Sequence, residues 1–453
     1  MKNNIKKILR ESFMSESKIK MSVPIPKDIN NIKDVFVKNG YKLFVVGGAV
    51  RDALLGKTPK DYDLATNAVP DKVESMMQKA GYKTLETGKA FGVINVFTDN
   101  DEYEIATFRK DSYDDQDISN AKILDLLSFV NKQNLKSVEF SNWFNNRFLK
   151  WEKGEIPEFD NWVDMAKKDI PLIMKKFSVG SGRRPDGVDF TTIDQDVKRR
   201  DLTINALFYD IDTGEVVDLV GGVDDLKKGI VRTVGSAEER FGEDRLRILR
   251  AIRFAGRFGS GLDPAVDAAL KKDNSLEGIS SERIRDEFLK GIKTAKNTKD
   301  FLNLISKYKL WGGIFPGLNI SNKFIEDKDP ILVVSELLIG NDLVNLSKQL
   351  NKLTYSSNEN KAITLLVAFS NFDDINGVYK MKKLFDKSGV TPEQLRVFNS
   401  INNTLPTNVV DKFINFKLSV TGRDVQDELG IKPGPEMGQA IEKMEINNFK
   451  KLL

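Results

Sequence analysis

The chain contains no cysteine and no histidine in 453 residues. The first absence excludes disulfides and thiolate-bound zinc, and it fits a protein of the cytoplasm. The second is sharper, because histidine is the usual general base at neutral pH and the commonest metal ligand. Without it, every phosphohydrolase site built on His and Asp is excluded, and chemistry must rest on carboxylates, cations and bound metal. Long apolar runs are missing too. No stretch is long enough to span a bilayer, and the basic start from Met1 to Lys20 lacks the uninterrupted apolar centre of a signal peptide. The net charge is only +4 although 30% of residues are charged, so any affinity for nucleic acid must come from local basic faces.

What is present is enough chain for roughly two to four domains. Residues 1–31 are polar and Lys-rich and read as a loosely attached arm, to which we assign no function. From Ile32 helix and strand alternate: strand at Tyr41–Val46, helix at Ala49–Leu55, helix at Pro70–Ala80 closed by Gly81, and strands at Phe91–Thr98 and Tyr103–Phe108. Residues 116–182 break that style. Phe140, Trp143, Phe144, Phe148 and Trp151 recur near helical spacing, which predicts a small helical insert with its own core. Strands return at Ala206–Ile211 and Glu215–Leu219, and beyond Ser236 nearly everything reads as helix. Ser236 followed by Glu239 resembles a capping box, and Gly259 stands where that helix should stop.

Val45-Val46-Gly47-Gly48-Ala49-Val50-Arg51-Asp52 reads as a strand, a tight glycine turn and a helix. Such a turn offers free N–H groups and the positive end of the helix dipole to phosphates. In Lys60-Asp61-Tyr62-Asp63 the two aspartates alternate on an extended segment, so both carboxylates point to one side and suit Mg²⁺. Either motif alone is more often a plain turn or a solvated loop. Glu102 and Glu104 share a strand face, opposite Tyr103 and Ile105. Either could complete a three-carboxylate, two-metal site, and Glu104 is preferred because it lies farther from the turn at Asp99-Asn100-Asp101.

Of three further clusters, the first two allow two readings each. Arg199-Arg200-Asp201-Leu202-Thr203-Ile204-Asn205 fits an exposed loop, or cations for a triphosphate with an Asp or Asn for a ribose hydroxyl. Glu243, Asp244 and Arg247, expected on one helix face, fit either a surface salt bridge or an acceptor–donor pair that reads the edge of a base. Arg247, Arg250, Arg253 and Arg257 continue as a cationic stripe suited to a phosphate backbone.

Taken in order, these motifs resemble the class II tRNA nucleotidyltransferase (CCA-adding enzyme) and bacterial poly(A) polymerase family, within the polymerase β-like nucleotidyltransferases. The resemblance runs through Gly47–Asp52, Asp61–Asp63, Glu104–Arg109, Arg183–Asp186, Arg199–Asn205, Gly221-Gly222, Glu243–Arg253 and Ser281–Ile284, and returns at Thr421–Asp424 and Gly430–Gly438. It implies an α+β fold: a nucleotidyltransferase head of mixed sheet and helices (32–115 and 183–235) carrying the helical insertion, then an all-α neck (236–300), body (301–380) and tail (381–453). The implied reaction is template-independent addition of C and A to tRNA 3′ ends from CTP and ATP, with Mg²⁺ on Asp61, Asp63 and Glu104 and loss of pyrophosphate. By the same resemblance Gly47, Gly48 and Arg51 hold the triphosphate, and Asp201 and Asn205 meet the ribose. Asp244 and Arg247 read the base, with Glu243 steadying the arginine. Asp52, Arg109, Arg200 and Arg250 complete the nucleotide set, and Arg253 and Arg257 contact RNA. Neither DNA nor a membrane is an expected partner. Phe91 stands where relatives often carry histidine, and residues 116–182 stand where relatives have a short loop. A poly(A) polymerase would carry nearly all these motifs, and a non-catalytic RNA-binding protein on the same scaffold would not need the three carboxylates.

Overall fold

The computed structural model describes residues 17–20, 23–86, 88–112 and 187–453. The expected helical insert at 116–182 and the Arg183–Asp186 motif lie outside the described residues. Within them the chain forms two units, one reaching to Arg247 and including Leu262–Ala269, the other comprising Ile248–Gly261 and Leu270–Leu453.

The first unit is built on one sheet. Its elements are β1 (Ser17–Lys20), α1 (Lys27–Lys38), β2 (Leu43–Val46), α2 (Gly48–Leu54), β3 (Asp63–Thr66), α3 (Pro70–Lys79), β4 (Lys83–Leu85), β5 (Val93–Phe97) and β6 (Glu102–Thr107). There follow the paired strands β7 (Arg109–Ser112) and β8 (Gly187–Phe190), then β9 (Leu207–Asp210), β10 (Glu215–Asp218), α4 (Gly222–Lys228) and α5 (Ala237–Glu243). The eight strands of the main sheet lie in the order β1-β10-β9-β2-β3-β6-β5-β4, and only β3 and β6 run parallel. β7 and β8 pair antiparallel from Arg109↔Phe190 to Ser112↔Gly187, so the two ends of the intervening segment are neighbours.

Period-two alternation decides which face each residue takes. On β2, Leu43 and Val45 join a core with Ile29, Ile32 and Phe36 of α1 and Val73 and Met77 of α3, whereas Phe44 and Val46 turn to the opposite face. There Phe44, Phe108 and Phe208 form an aromatic triangle with centroids 5.6 to 6.3 Å apart. Of the arm expected at 1–31, the described residues 17–20 and 23–31 are packed on the head. β1 pairs with β10, and α1 begins at Lys27 with Ile29 and Ile32 fully buried. Burial of such side chains contributes about 2 kcal/mol each, which ties this segment to the head.

α4 begins where the chain passes close to itself. A Cβ at Gly222 would lie 2.1 Å from the Thr203 carbonyl oxygen, while the Gly222 N–H donates to Asp218 Oδ1 at 3.0 Å. Backbone on both sides leaves nothing to yield. Gly222→Ala is therefore expected to destabilise the head by about 3 kcal/mol, the upper range for overpacking. A thermal melt of the variant within a degree of wild type would contradict this contact.

The second unit is helical from Ser281–Thr294 to the last helix, Met437–Leu452. Phe288, Phe301, Trp311 and Phe315 form one of its cores, and Phe369, Phe372, Phe385 and Phe413 another. Thr421 and Asp424 form a reciprocal capping box on the helix Gly422–Leu429, so this part of the C-terminal motif has a local structural role. No helix among the described residues is long and apolar enough to cross a membrane.

Candidate active site

Val46 pairs with Asp63 on one side and Phe208 on the other, so these three residues share the face of the aromatic triangle. Tyr62 packs against the opposite core, which turns Asp61 to the same side as Asp63. In the parallel pairing of β3 and β6, Leu64 lies opposite Ile105 and Ala65 opposite Ala106. By that register Glu104 comes level with Asp63 on its face. Glu102 lies one pleat farther away, and its carboxylate accepts from Asn95 Nδ2 at 2.5 Å.

Asp61 and Asp63 are exposed, yet the Asp63 carboxyl is held above the usual carboxylate range. Loss of hydration raises it most, the Arg200 charge opposes, and the neighbouring Asp61 charge raises it further. Repulsion of this kind is what a bound cation relieves. No three acidic side chains among the described residues converge closely enough to enclose an ion by themselves. The three-carboxylate set is thus aligned on one face but not gathered into a cage. That donor set still fits Mg²⁺, which takes one or two carboxylates and completes its shell with water and substrate phosphates.

Gly47 makes the turn into α2 with φ +66° and ψ −118°, a conformation that suits glycine alone. Its own N–H is already given to the Leu207 carbonyl at 2.9 Å, so the amides left for phosphate are those of the first turn, from Gly48 onward. Arg51 corrects another expectation. It is 4% exposed, and its guanidinium donates to Asn205 Oδ1 at 2.5 Å and to Asp52 Oδ1 at 2.9 to 3.0 Å. The arginine ties the glycine turn to the Asp201–Asn205 motif and does not present itself to solvent. Asn205 in turn donates to Asp201 Oδ1 at 3.4 Å, and the same oxygen accepts from the Leu202 amide at 2.7 Å.

Arg200 is the cation at the carboxylate face. Its guanidinium lies 4.5 Å above the Phe208 ring, and Nη1 would be 3.9 Å from a Cβ placed on Gly47. Nε and Nη2 both donate to Asp196 Oδ2, at 3.2 and 3.0 Å. Sequence reasoning missed Asp196. The available signal was its spacing, three residues before Arg199 and four before Arg200 on a helical turn. Arg109 is held at both ends: its backbone N–H donates to Asp196 Oδ1 at 3.1 Å and its guanidinium to the Phe91 carbonyl. Phe91 thus contributes its main chain where a histidine ring was the family expectation.

Burial acts to raise the Asp196 pKa, but the charges of Arg200 and Arg199 and the Arg109 amide more than offset it, and the net shift is downward. The sign follows from linkage: a depressed folded-state pKa stabilises the fold above the ordinary value of 3.8, and that contribution is lost as pH falls through the folded value. Asp196→Asn is expected to be less stable than wild type at neutral pH, with the gap narrowing below pH of about 4. Parallel acid titrations monitored by circular dichroism measure it.

The triplet expected to read the base, Glu243, Asp244 and Arg247, is arranged differently from the expected single helix. α5 ends at Glu243, Asp244 is extended at φ −146°, and a new helix, α6 (Leu246–Phe258), begins. Ser236 does cap α5, through the Glu239 amide. Asp244 Oδ1 accepts from the Leu246 N–H at 3.0 Å, so the aspartate starts the new helix. Arg247 bridges the break: it donates to Glu243 Oε2 at 2.5 Å, to the Arg240 carbonyl at 3.3 Å and to the Arg199 carbonyl at 3.1 Å. Glu243 steadies Arg247, and Arg199 connects both to the segment that carries Arg200.

Along α6 the even cationic stripe is corrected at Arg253. This residue is 8% exposed, stacks on Phe254 at 4.1 Å and donates to the buried Glu287 at 2.5 Å. Arg250 and Arg257 are less buried and lie 5.9 and 5.4 Å from the rings of Phe254 and Phe258. These three arginines belong to the second unit, whereas Arg247 belongs to the first.

Comparison with known proteins agrees with this geometry. The family described as "Poly A polymerase head domain" matches residues 43–232, and "Probable RNA and SrmB- binding site of polymerase A" matches residues 262–321. The CCA-adding enzyme of Ligilactobacillus salivarius is 28% identical over 474 residues, covering 94% of this chain and 98% of its own. That of Bacillus subtilis is 33% identical over 258 residues, covering 56% of this chain and 47% of its own. Among solved structures, the Bacillus stearothermophilus CCA-adding enzyme in complex with CTP has a TM-score of 0.56 at 20% identity, with 94% of each chain covered. The Thermotoga maritima CCA-adding enzyme complexed with tRNA has a TM-score of 0.58 at 18% identity, covering 95% of this chain and 93% of that one. At these identities the structural likeness speaks to the fold, and the head and RNA-binding matches speak to descent. With its Gly47-Gly48 turn and Asp63 beside it on one sheet face, the segment 43–232 belongs to the family of poly(A) polymerase head domains, and the chain over nearly its whole length is similar to CCA-adding enzymes.

Proposed function

We propose that this protein adds C and A, without a nucleic-acid template, to the 3′ ends of tRNA, using CTP and ATP. The observation that carries the reading is the strand register that sets Asp63 level with Glu104 while Arg200 stands over Phe208 beside them. The names of the relatives, CCA-adding enzymes over nearly the whole chain in several cases, favour tRNA as acceptor. The 3′-hydroxyl oxygen forms the new bond to the α-phosphorus, the bond to the β-phosphate bridge breaks, and pyrophosphate leaves. Asp61, Asp63 and Glu104 would hold Mg²⁺, which when bound supplies Lewis acidity to the phosphoryl oxygens.

The protein's own groups do the rest. Arg200 and the first-turn amides of α2 receive triphosphate oxygens. Arg51 fixes Asn205, and Asn205 and Asp201 face the ribose. Asp244 and Arg247 offer the acceptor and donors that select the base. We place the activity in the cytoplasm, where a cysteine-free protein acting on tRNA is at home. The test is transfer of radiolabel from CTP and from ATP to tRNA lacking its 3′ end, with and without Mg²⁺. Transfer that depends on tRNA and on the cation is expected. No transfer from either nucleotide would defeat the reading, and an unlimited tail from ATP alone would make the protein a poly(A) polymerase.

A further inference from the structure

Asp196 is a heavily committed carboxylate of the head. Its side chain is 1% exposed, and both oxygens are shared: Oδ1 between the Arg109 amide at 3.1 Å and Arg199 Nε at 2.8 Å, Oδ2 between Arg200 Nε and Nη2. Two consecutive arginines are thereby turned inward onto one acceptor. This has a geometric consequence on each side of the segment.

On the first side, Arg200 is pinned through Nε and Nη2 and supported by the Phe208 ring, which leaves Nη1 as the end directed to the Gly47 turn. A guanidinium fixed at one edge delivers the other in a set orientation, without losing rotamer freedom when a triphosphate arrives. On the second side, the backbone of the same segment is presented outward. The Lys198 carbonyl accepts from Arg240 Nη1 at 2.8 Å and the Arg199 carbonyl accepts from Arg247 Nη2 at 3.1 Å. Arg240 also pairs with Glu243 at 2.7 Å, and Glu243 with Arg247. From Asp196 a set of charge-assisted contacts, joined through the Arg199 residue itself, therefore reaches both Arg200 and the buried Arg247.

We propose that Asp196 is a positioning residue that sets two properties of one site together: the grip on the nucleotide triphosphate through Arg200, and the choice of base through the Arg199 carbonyl and Arg247. The proposal rests on the functional reading above and extends it to a residue that contacts no substrate. Its consequence is coupling. A change at Asp196 alters how tightly any nucleotide is held and how well C and A are told from U and G, although the base pocket itself is untouched.

The test is Asp196→Asn, which preserves shape and removes the charge, assayed below its melting temperature on tRNA ending before CCA. Replacing a charged acceptor of several hydrogen bonds by a neutral one is expected to raise KM for CTP by about tenfold and to lower the ratio of C to U incorporation by about fivefold. Asp196→Glu, which keeps the charge, is expected to recover part of the ratio. A folded Asp196→Asn protein with a lowered melting temperature but wild-type KM and wild-type selection would overturn the proposal and leave Asp196 a structural residue. Should Asp196→Asn fail to fold, Arg240→Gln tests the outer arm: a several-fold loss of C over U selection is expected, and unchanged selection overturns the proposal. Failure of the functional reading is distinct, since wild-type protein would then transfer neither C nor A.

Discussion

Asp63→Asn is expected to lower the addition of both C and A by about a thousandfold or more, with the two losses equal. Cation binding by the carboxylates precedes any choice of base, and a Lewis-acid contribution of several kcal/mol corresponds to that factor at about 1.4 kcal/mol per tenfold. The variant should fold as well as wild type. Asp63 is exposed at the start of β3, and its raised pKa means that the native environment disfavours its charge, so at neutral pH the neutral amide costs no stability and relieves repulsion from Asp61. An inactive protein with an unchanged or higher melting temperature is the expected pair of results. Near-normal transfer by Asp63→Asn would remove Asp63 from the mechanism.

Arg247→Ala is expected to reduce the preference for C and A over U and G by about 10- to 100-fold, the range set by about 1 to 3 kcal/mol for a bidentate hydrogen-bonding pair. Asp244 needs a finer variant, because it also caps the new helix through the Leu246 N–H. Asp244→Ala removes both the cap, about 1 kcal/mol of stability, and the anionic acceptor. Asp244→Ser retains a capping oxygen and removes only the carboxylate. Competition between CTP and UTP on one tRNA should show Asp244→Ser close to Asp244→Ala in selection but close to wild type in melting temperature. If Asp244→Ser selected as wild type does, the aspartate would be a helix cap and nothing more.

Much of the head could be read from the sequence because period-two alternation is strong there. Leu43, Val45, Tyr103 and Ile105 enter one core, so alternation puts Val46 and Glu104 on the opposite face, and the pairing of β3 with β2 and β6 brings Asp63 to it. Several features were not legible because they depend on partners distant in the chain. Arg51 has a triphosphate role by the family resemblance, and its contact with Asn205, far along the sequence, turns it inward. Arg253 continues a surface spacing, yet Glu287 on another helix takes it into the interior. The break at Asp244 was hidden because Glu243 and Arg247 keep a helical spacing across it. Asp196 was overlooked for the opposite reason: its partners Arg199 and Arg200 are local, but its burial is not.

The most direct test of the central claim is sequencing of the 3′ ends made by the purified protein from CTP, ATP and Mg²⁺, on tRNAs ending before, within and after CCA. The account predicts completion to CCA on the first two, no extension of the third, and no dependence on any nucleic-acid template. Products that lack C, or that extend past the final A into a tail, would contradict it.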